Sequence, residues 1–218
     1  MTQRIAPPDA VVFDMDGVLI DSGAHHRAAW RALLNELGIE PAGDFWRLTI
    51  GRPAEEAVPL LLGVDVSPEE AWRLATRKRD HYVAFARRGV QAVAGVGRFV
   101  ETVADAGIPC AVATSASRHD VDRLLLALGF ARCFRAIVTS EDVRMGKPDP
   151  EVYMRAAEAL GVSPRRCLAF EDSVVGIHAA CGAGMAVVGV TTAYTDHELS
   201  AAGAVRTIPS FEGLGWPL

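Results

Sequence analysis

A chain of 218 residues, half of them apolar, suits one large α/β unit or a core with a smaller insertion, and is too apolar for global disorder. A formal net charge of −5 and a pI near 5.7 argue against a general nucleic-acid binder, which needs a basic face. No apolar run approaches the roughly 18 residues of a membrane span, and Met1–Asp9 has no signal-peptide core. Cys110, Cys133, Cys167 and Cys181 lack metal-type spacing and sit among apolar neighbours, so they read as small core residues of a reducing compartment. The cytoplasm is the expected location.

The first element is the run Val11-Val12-Phe13, which ends in Asp14-Met15-Asp16-Gly17. It reads as a buried strand carrying Asp14 at its C-terminal tip and Asp16 just beyond, where open α/β sheets bind ligands. Two carboxylates so close repel unless a cation or a shared proton holds them, and Mg²⁺ accepts such oxygens. A bare D-x-D-G is equally an Asx turn. After Ser22 the spacing predicts helices over His25–Leu37, Pro53–Leu62 and Ser67 to about Arg88, with no strand signal from Gly23 to Gln91.

Beyond that, strands and helices alternate. Helices are expected over Gly97–Ala106, Asp120–Leu128, Pro150–Leu160 with Asp149 as N-cap, and Val174–Ala183. Strands are expected over Pro109–Thr114, Ala136–Thr139, Cys167–Glu171, Ala186–Val190 and Val205–Ile208. Gly95-Val96-Gly97 reads as a linker and Gly182-Ala183-Gly184 as a helix C-cap. This pattern predicts an α/β fold: a doubly wound, parallel-sheet, Rossmann-like core (residues 1–22 and 92–218) interrupted by an all-helical cap (23–91).

In one parallel sheet all strand C-termini share an edge. Asp14, Asp16, Thr114, Lys147 and Asp172 can therefore converge, with Ser115 and Glu171 at the same strand ends, supplying acid oxygens for a metal, a hydroxyl and backbone N–H for phosphoryl oxygens, and one cation. That inventory suits phosphoryl transfer. Of the 22 basic residues only Lys78 and Lys147 are lysines. Where lysine survives among arginines, a compact ammonium is expected to be needed.

These segments, in this order, resemble the haloacid dehalogenase superfamily over nearly the whole chain. Gly146-Lys147-Pro148-Asp149-Pro150-Glu151-Val152-Tyr153 and Phe170-Glu171-Asp172-Ser173 are similar to its β-phosphoglucomutase and small sugar-phosphatase branch. The resemblance implies Asp14 as a nucleophile that becomes phosphorylated and Asp16 as general acid/base, its backbone carbonyl also meeting the metal. It implies Mg²⁺ on Asp14, Asp16 and Asp172 with Glu171 beside them, and Thr114, Ser115 and Lys147 on the phosphoryl oxygens. His26 and Lys78 match cap and linker positions near a sugar phosphate. Mutases of this kind carry a lysine and an arginine where this chain has Ile50 and Ala54; Arg52 offers a cation from a different place.

The expectation is thus a Mg²⁺-dependent phosphatase of a small phosphorylated metabolite. The alternatives are a phosphoglucomutase-type mutase and, from another class, a non-catalytic binding protein on the same fold. The expected partner is a small phosphorylated substrate, with no nucleic acid and no membrane, and the chain a monomer or small homo-oligomer.

Overall fold

The computed structural model describes residues 7–41, 43–87 and 89–218, the Ala127 side chain aside. Ala10–Phe13 forms β1, every residue of it buried. Beside it run Cys110–Ala113 (β4) and Cys167–Glu171 (β6), both parallel to it. Phe134–Val138 (β5), Ala186–Val190 (β7) and Arg206–Ile208 (β8) complete a parallel sheet of order β5-β4-β1-β6-β7-β8. The chain runs outward one way through β4 and β5, then returns and runs the other way through β6, β7 and β8. The strand order reverses at β1, which puts its tip at the crevice where such sheets bind ligands.

The period of two along β1 sorts the core into two unlike halves. Val11 and Phe13 face one side, where Phe13 stacks on Phe170 at 5.1 Å and meets Phe99 edge-on at 6.3 Å. Ala10 and Val12 face the other side with Ala111, Ala113 and Ala169. These small residues let Glu151–Leu160 (α6) and Val174–Ala183 (α7) approach closely through Ala156, Ala157, Ala179 and Ala180. Val96–Asp105 (α4) and Arg118–Leu128 (α5) cover the aromatic face. Burying one such aromatic or aliphatic side chain contributes about 1.5–3 kcal/mol.

Three helices follow β1: Gly23–Glu36 (α1), Ala54–Leu62 (α2) and Pro68–Ala86 (α3), with a 3-10 turn at Phe45–Leu48. Their own apolar cluster includes Trp30, Leu33, Leu34, Val58 and Leu74. Ser67 opens α3 by accepting the Glu70 N–H at 3.2 Å, with Pro68 at the first helical position. The helix ends at Ala86; Arg88, the expected end, lies outside the described residues.

Cys181 is exposed and so is not a core residue, and the structure corrects the sequence reading in four further places. Ile20–Asp21 (β2) and Gln91–Ala92 (β3) pair antiparallel at the two ends of the helical segment, so it does not lack a strand throughout. Asp196–Ala202 (α8) is an additional helix, announced by a Thr195/Glu198 capping box. Pro150, not Asp149, is the N-cap of α6, although the Asp149 carboxylate still accepts the Glu151 N–H at 2.9 Å. Gly95 precedes α4 directly, so Gly95-Val96-Gly97 is a helix start and not a linker. Among the described residues no helix is long and apolar enough to cross a membrane.

Candidate active site

Asp14 ends β1 with its backbone N–H on Phe170 O at 3.0 Å, so its position is fixed by the sheet itself. Lys147 reaches it from the loop before α6. Its Nζ donates to Asp14 Oδ1 at 2.6 Å, to Glu171 Oε1 at 2.7 Å and to Ala113 O at 3.3 Å. All three ammonium hydrogens are thereby used. Burial alone would lower the proton affinity of Lys147, but Asp14 and Glu171 hold it well above the ordinary lysine range.

Glu171 and Asp172 sit together at the end of β6 but are engaged differently. Glu171 Oε1 accepts from Lys147 and, at 3.1 Å, from the Tyr153 hydroxyl. Its Oε2 accepts the N–H and hydroxyl of Ser173 at 2.8 and 2.9 Å. Asp172 Oδ2 accepts one hydroxyl, from Thr192 at 3.2 Å. Asp14, Glu171 and Asp172 each place a carboxylate oxygen within 4.8 Å of the others. Burial pushes Asp14 up to about 7 against the pull of Lys147, and burial with the charges of Glu171 and Asp14 raises Asp172 well above the usual carboxylate range. One ammonium does not neutralise three buried carboxylates, and this donor set fits a hard divalent cation.

Asp16 belongs to a separate set of contacts. Its Oδ1 accepts the Ser22 hydroxyl at 2.5 Å and His26 Nε2 at 3.0 Å. Lys78 Nζ donates to His26 Nδ1 at 2.7 Å, which leaves the imidazole proton on Nε2, facing Asp16. His26 stacks on Tyr82 at 4.2 Å, and Lys78 lies over the Trp30 and Tyr82 rings at 5.2 and 5.4 Å. Burial works to raise the Asp16 pKa, yet His26, Ser22 and Lys78 together pull it down to about 2. Burial brings Lys78 down to about 8, and burial with Lys78 lowers His26.

The loop between the two aspartates and β2 is closed by Gly17, whose φ of +79° suits glycine. A Cβ there would meet Asp172 Oδ2 at 1.9 Å, so any side chain would displace that carboxylate. Thr114 is buried at the tip of β4, its Oγ1 accepting the Ala116 N–H at 3.1 Å. The Ser115 hydroxyl instead donates to Gly51 O at 3.0 Å, across to the helical segment. Arg47 makes a second crossing contact, to Glu198 at 2.5 Å, under a Tyr194 hydroxyl that donates to Arg47 O at 3.2 Å.

One cavity between the sheet edge and the helical segment is lined by Asp14, Asp16, Thr114, Ser115 and Asp172, and from the other side by His26, Arg52 and Lys78. Lys147 and Glu171 sit behind that wall, both almost wholly buried. His26 and Lys78 thus reach the cavity, but their polar atoms are committed to each other and to Asp16. The sequence marks Ser173 only as the cap of the helix that follows and gives Thr192, Tyr153 and Ser22 no role, although these groups hold Glu171, Asp172 and Asp16. Thr192 stands just past the end of β7, and the rule that singled out Thr114 would have marked it too.

The haloacid dehalogenase-like hydrolase family matches residues 8–184. The chain is 31% identical over 202 residues to the phosphorylated carbohydrates phosphatase of Thermotoga maritima, covering 92% of this chain and 94% of that one. It is 30% identical over 188 residues to the beta-phosphoglucomutase of Bacillus subtilis, covering 83% and 82%. Among solved structures, beta-phosphoglucomutase from Clostridium difficile aligns with a TM-score of 0.85 at 26% identity, covering 96% and 94%.

Proposed function

This chain belongs to the haloacid dehalogenase-like hydrolases, and from that premise we propose that it hydrolyses the monoester of a small phosphorylated metabolite, a sugar phosphate above all, through a phospho-aspartate on Asp14. The observation that carries the reading is the division of labour at the tip of β1. Asp14 lies in a lysine-bound, carboxylate-rich recess, while Asp16, two residues on, has its own hydrogen-bonding partners.

In the first half of the reaction an Asp14 oxygen attacks phosphorus, the bond to the ester oxygen breaks, and Asp16 gives that oxygen its proton. In the second half water attacks phosphorus, Asp16 takes the water's proton, and Asp14 is released with inorganic phosphate. Without substrate Asp16 is a carboxylate, the form the second half needs. A bound phosphate dianion adds negative charge beside it and favours the proton required for the first. Lys147 keeps its charge against Asp14 and the phosphoryl oxygens, with Glu171 as its fixed counter-charge. Thr114 supplies a further hydroxyl donor, its Oγ1 otherwise only accepting, whereas the Ser115 hydroxyl is held by Gly51 O. Asp14, Asp172 and the Asp16 carbonyl would hold Mg²⁺; when bound, it offsets the charge of these oxygens and of the phosphoryl group. Glu171, its two oxygens already accepting four hydrogen bonds, serves Lys147.

Hydrolysis is favoured over mutase chemistry by the cap loop. Ile50 and Ala54 line the cavity where resembling mutases place cations, leaving Arg52 alone on that stretch. The helical segment 23–91 acts as the cap that closes over substrate. Asp14→Asn is expected to abolish phosphate release from every substrate of a sugar-phosphate panel and to abolish acid-stable labelling by substrate phosphorus, with thermal unfolding retained. More than a few per cent residual turnover in the folded variant would overturn the covalent reading.

A further inference from the structure

On the wall of the same cavity two polar groups are buried without hydrogen-bond partners among the described residues, Asp120 Oδ1 and the Tyr82 hydroxyl; Nε and Nη2 of Arg123, a residue outside that lining, are likewise unpartnered. Asp120 and Tyr82 are 7% and 3% exposed, and both line the cavity. Arg123 lies near enough to act on the Tyr82 phenol, as do the Asp120 and Asp16 carboxylates. The other Asp120 oxygen is explained by the fold, since Oδ2 accepts the hydroxyl of Ser117, the N-cap of α5, at 2.9 Å. Oδ1 is not so explained. The nearest basic side chains, Arg79 at 3.6 Å from Oδ2 and His119 at 3.7 Å from Oδ1, stand beyond hydrogen-bond length.

A buried carboxylate oxygen without a donor costs free energy, and so does a buried phenol hydroxyl without a partner. The group that answers both must donate to Asp120 and accept from Tyr82. A hydroxyl does this. A phosphate or carboxylate offers acceptors only and would meet the charge of Asp120; an alkyl group offers neither.

We propose that Asp120 and Tyr82 form a hydroxyl-recognition subsite, which makes the preferred substrate a monophosphate whose remote end is an uncharged, hydroxyl-bearing carbon chain and not a bisphosphate. Ser117 holds the carboxylate in place through Oδ2 and leaves Oδ1 turned to the ligand. This rests on the phosphatase reading and narrows it. A site built to pair with a substrate hydroxyl also rejects the analogue lacking it, because its own polar groups are then left unpaired.

The test compares glucose 6-phosphate with hexyl phosphate, using acetyl phosphate as a minimal reference. The wild type is expected to prefer glucose 6-phosphate over hexyl phosphate by about 10-fold or more in kcat/KM. Asp120→Asn keeps an acceptor for Ser117, and Tyr82→Phe keeps the ring under His26 and Lys78. Each is expected to cut that preference by about 10-fold, chiefly through KM for the sugar phosphate. A wild type without the preference, or a preference that survives in both variants, overturns the subsite and assigns these groups to bound water and the α5 cap. Failure of the wild type to release phosphate from acetyl phosphate and both longer esters overturns the phosphatase reading itself, and the subsite with it.

Discussion

Lys147 and Lys78 are buried to nearly the same degree, 1% and 7% exposed, and end in opposite conditions. Lys147 stands on the sheet side among Asp14 and Glu171, and its proton is held more tightly than in water. Lys78 stands on the helical segment against a neutral imidazole and two aromatic rings, and its pKa falls to about 8. Burial lowers the proton affinity of both; the formal charge of the partner decides the outcome. One lysine is thus a permanent charge, suited to oxygens that gain charge during reaction. The other can lose its proton near neutral pH, and it acts on Asp16 through His26.

Replacing each lysine by methionine makes the contrast measurable. Lys147→Met leaves Asp14 and Glu171 facing each other with no counter-charge. Breaking a buried pair by removing one partner costs about 3–5 kcal/mol. The expected outcome is a lowered Tm together with a loss of kcat of about 10²-fold or more on every substrate. A variant as stable as the wild type would mean that Lys147 does not balance these carboxylates. Lys78→Met strands no full charge and keeps an apolar stem against Trp30 and Tyr82, so its Tm should stay near the wild type. Its effect falls on Asp16, and kcat should drop about 10-fold for alkyl phosphates, whose leaving oxygen needs a proton, and less for p-nitrophenyl phosphate. Equal losses on the two would detach Lys78 from proton transfer.

The smallest effect is in pH. Below about 8 Lys78 is charged and donates to His26 Nδ1; above it the donor weakens and the tautomer is no longer enforced. The rate profile should carry an alkaline limb near pH 8, absent from Lys78→Met. Stability moves the other way. The folded pKa is depressed below the 10.5 of a free lysine, so between about 8 and 10.5 the unfolded chain binds the extra proton and stability from this group rises with pH. Chemical denaturation at pH 7.5 and 9.5, wild type against Lys78→Met, reads that slope.

The two regions also differed in how far the sequence revealed them. The Asp14–Lys147 region was legible, because each member stands at a strand tip or in a loop before a helix, and parallel topology brings all such tips to one edge. β6 and α7 were placed residue for residue for the same reason, an apolar run cut off by charges and then a serine cap. The separation of Glu171 from Asp172 was not, since it depends on Tyr153 and Ser173 reaching one and Thr192 the other. His26 and Lys78 line the cavity, but the contact that ties Lys78 to His26, and through it to Asp16, spans 52 residues and no local pattern encodes it. Asp120 looked like an ordinary residue in the first turn of a helix, and only packing shows that one of its oxygens lacks a partner. β2 and β3, two residues each, are too short to show any period.

That short ladder has a consequence for how the molecule is put together. Ile20 pairs with Ala92 and Asp21 with Gln91, so the helical segment leaves and rejoins the core at adjacent points, on a closed stem. As a piece of construction it is a detachable fitting. Joining Asp21 to Gln91 through a tight turn would leave every pairing of the six-stranded sheet in place, and cooperative thermal unfolding of the shortened chain would show whether it stands alone. Such a chain keeps Asp14, Asp16, Lys147 and Asp172 and discards His26, Lys78 and Tyr82. On the proposed function, the stem would therefore let a lineage, or a designer, exchange the residues facing the substrate while those assigned to bond breaking are inherited intact.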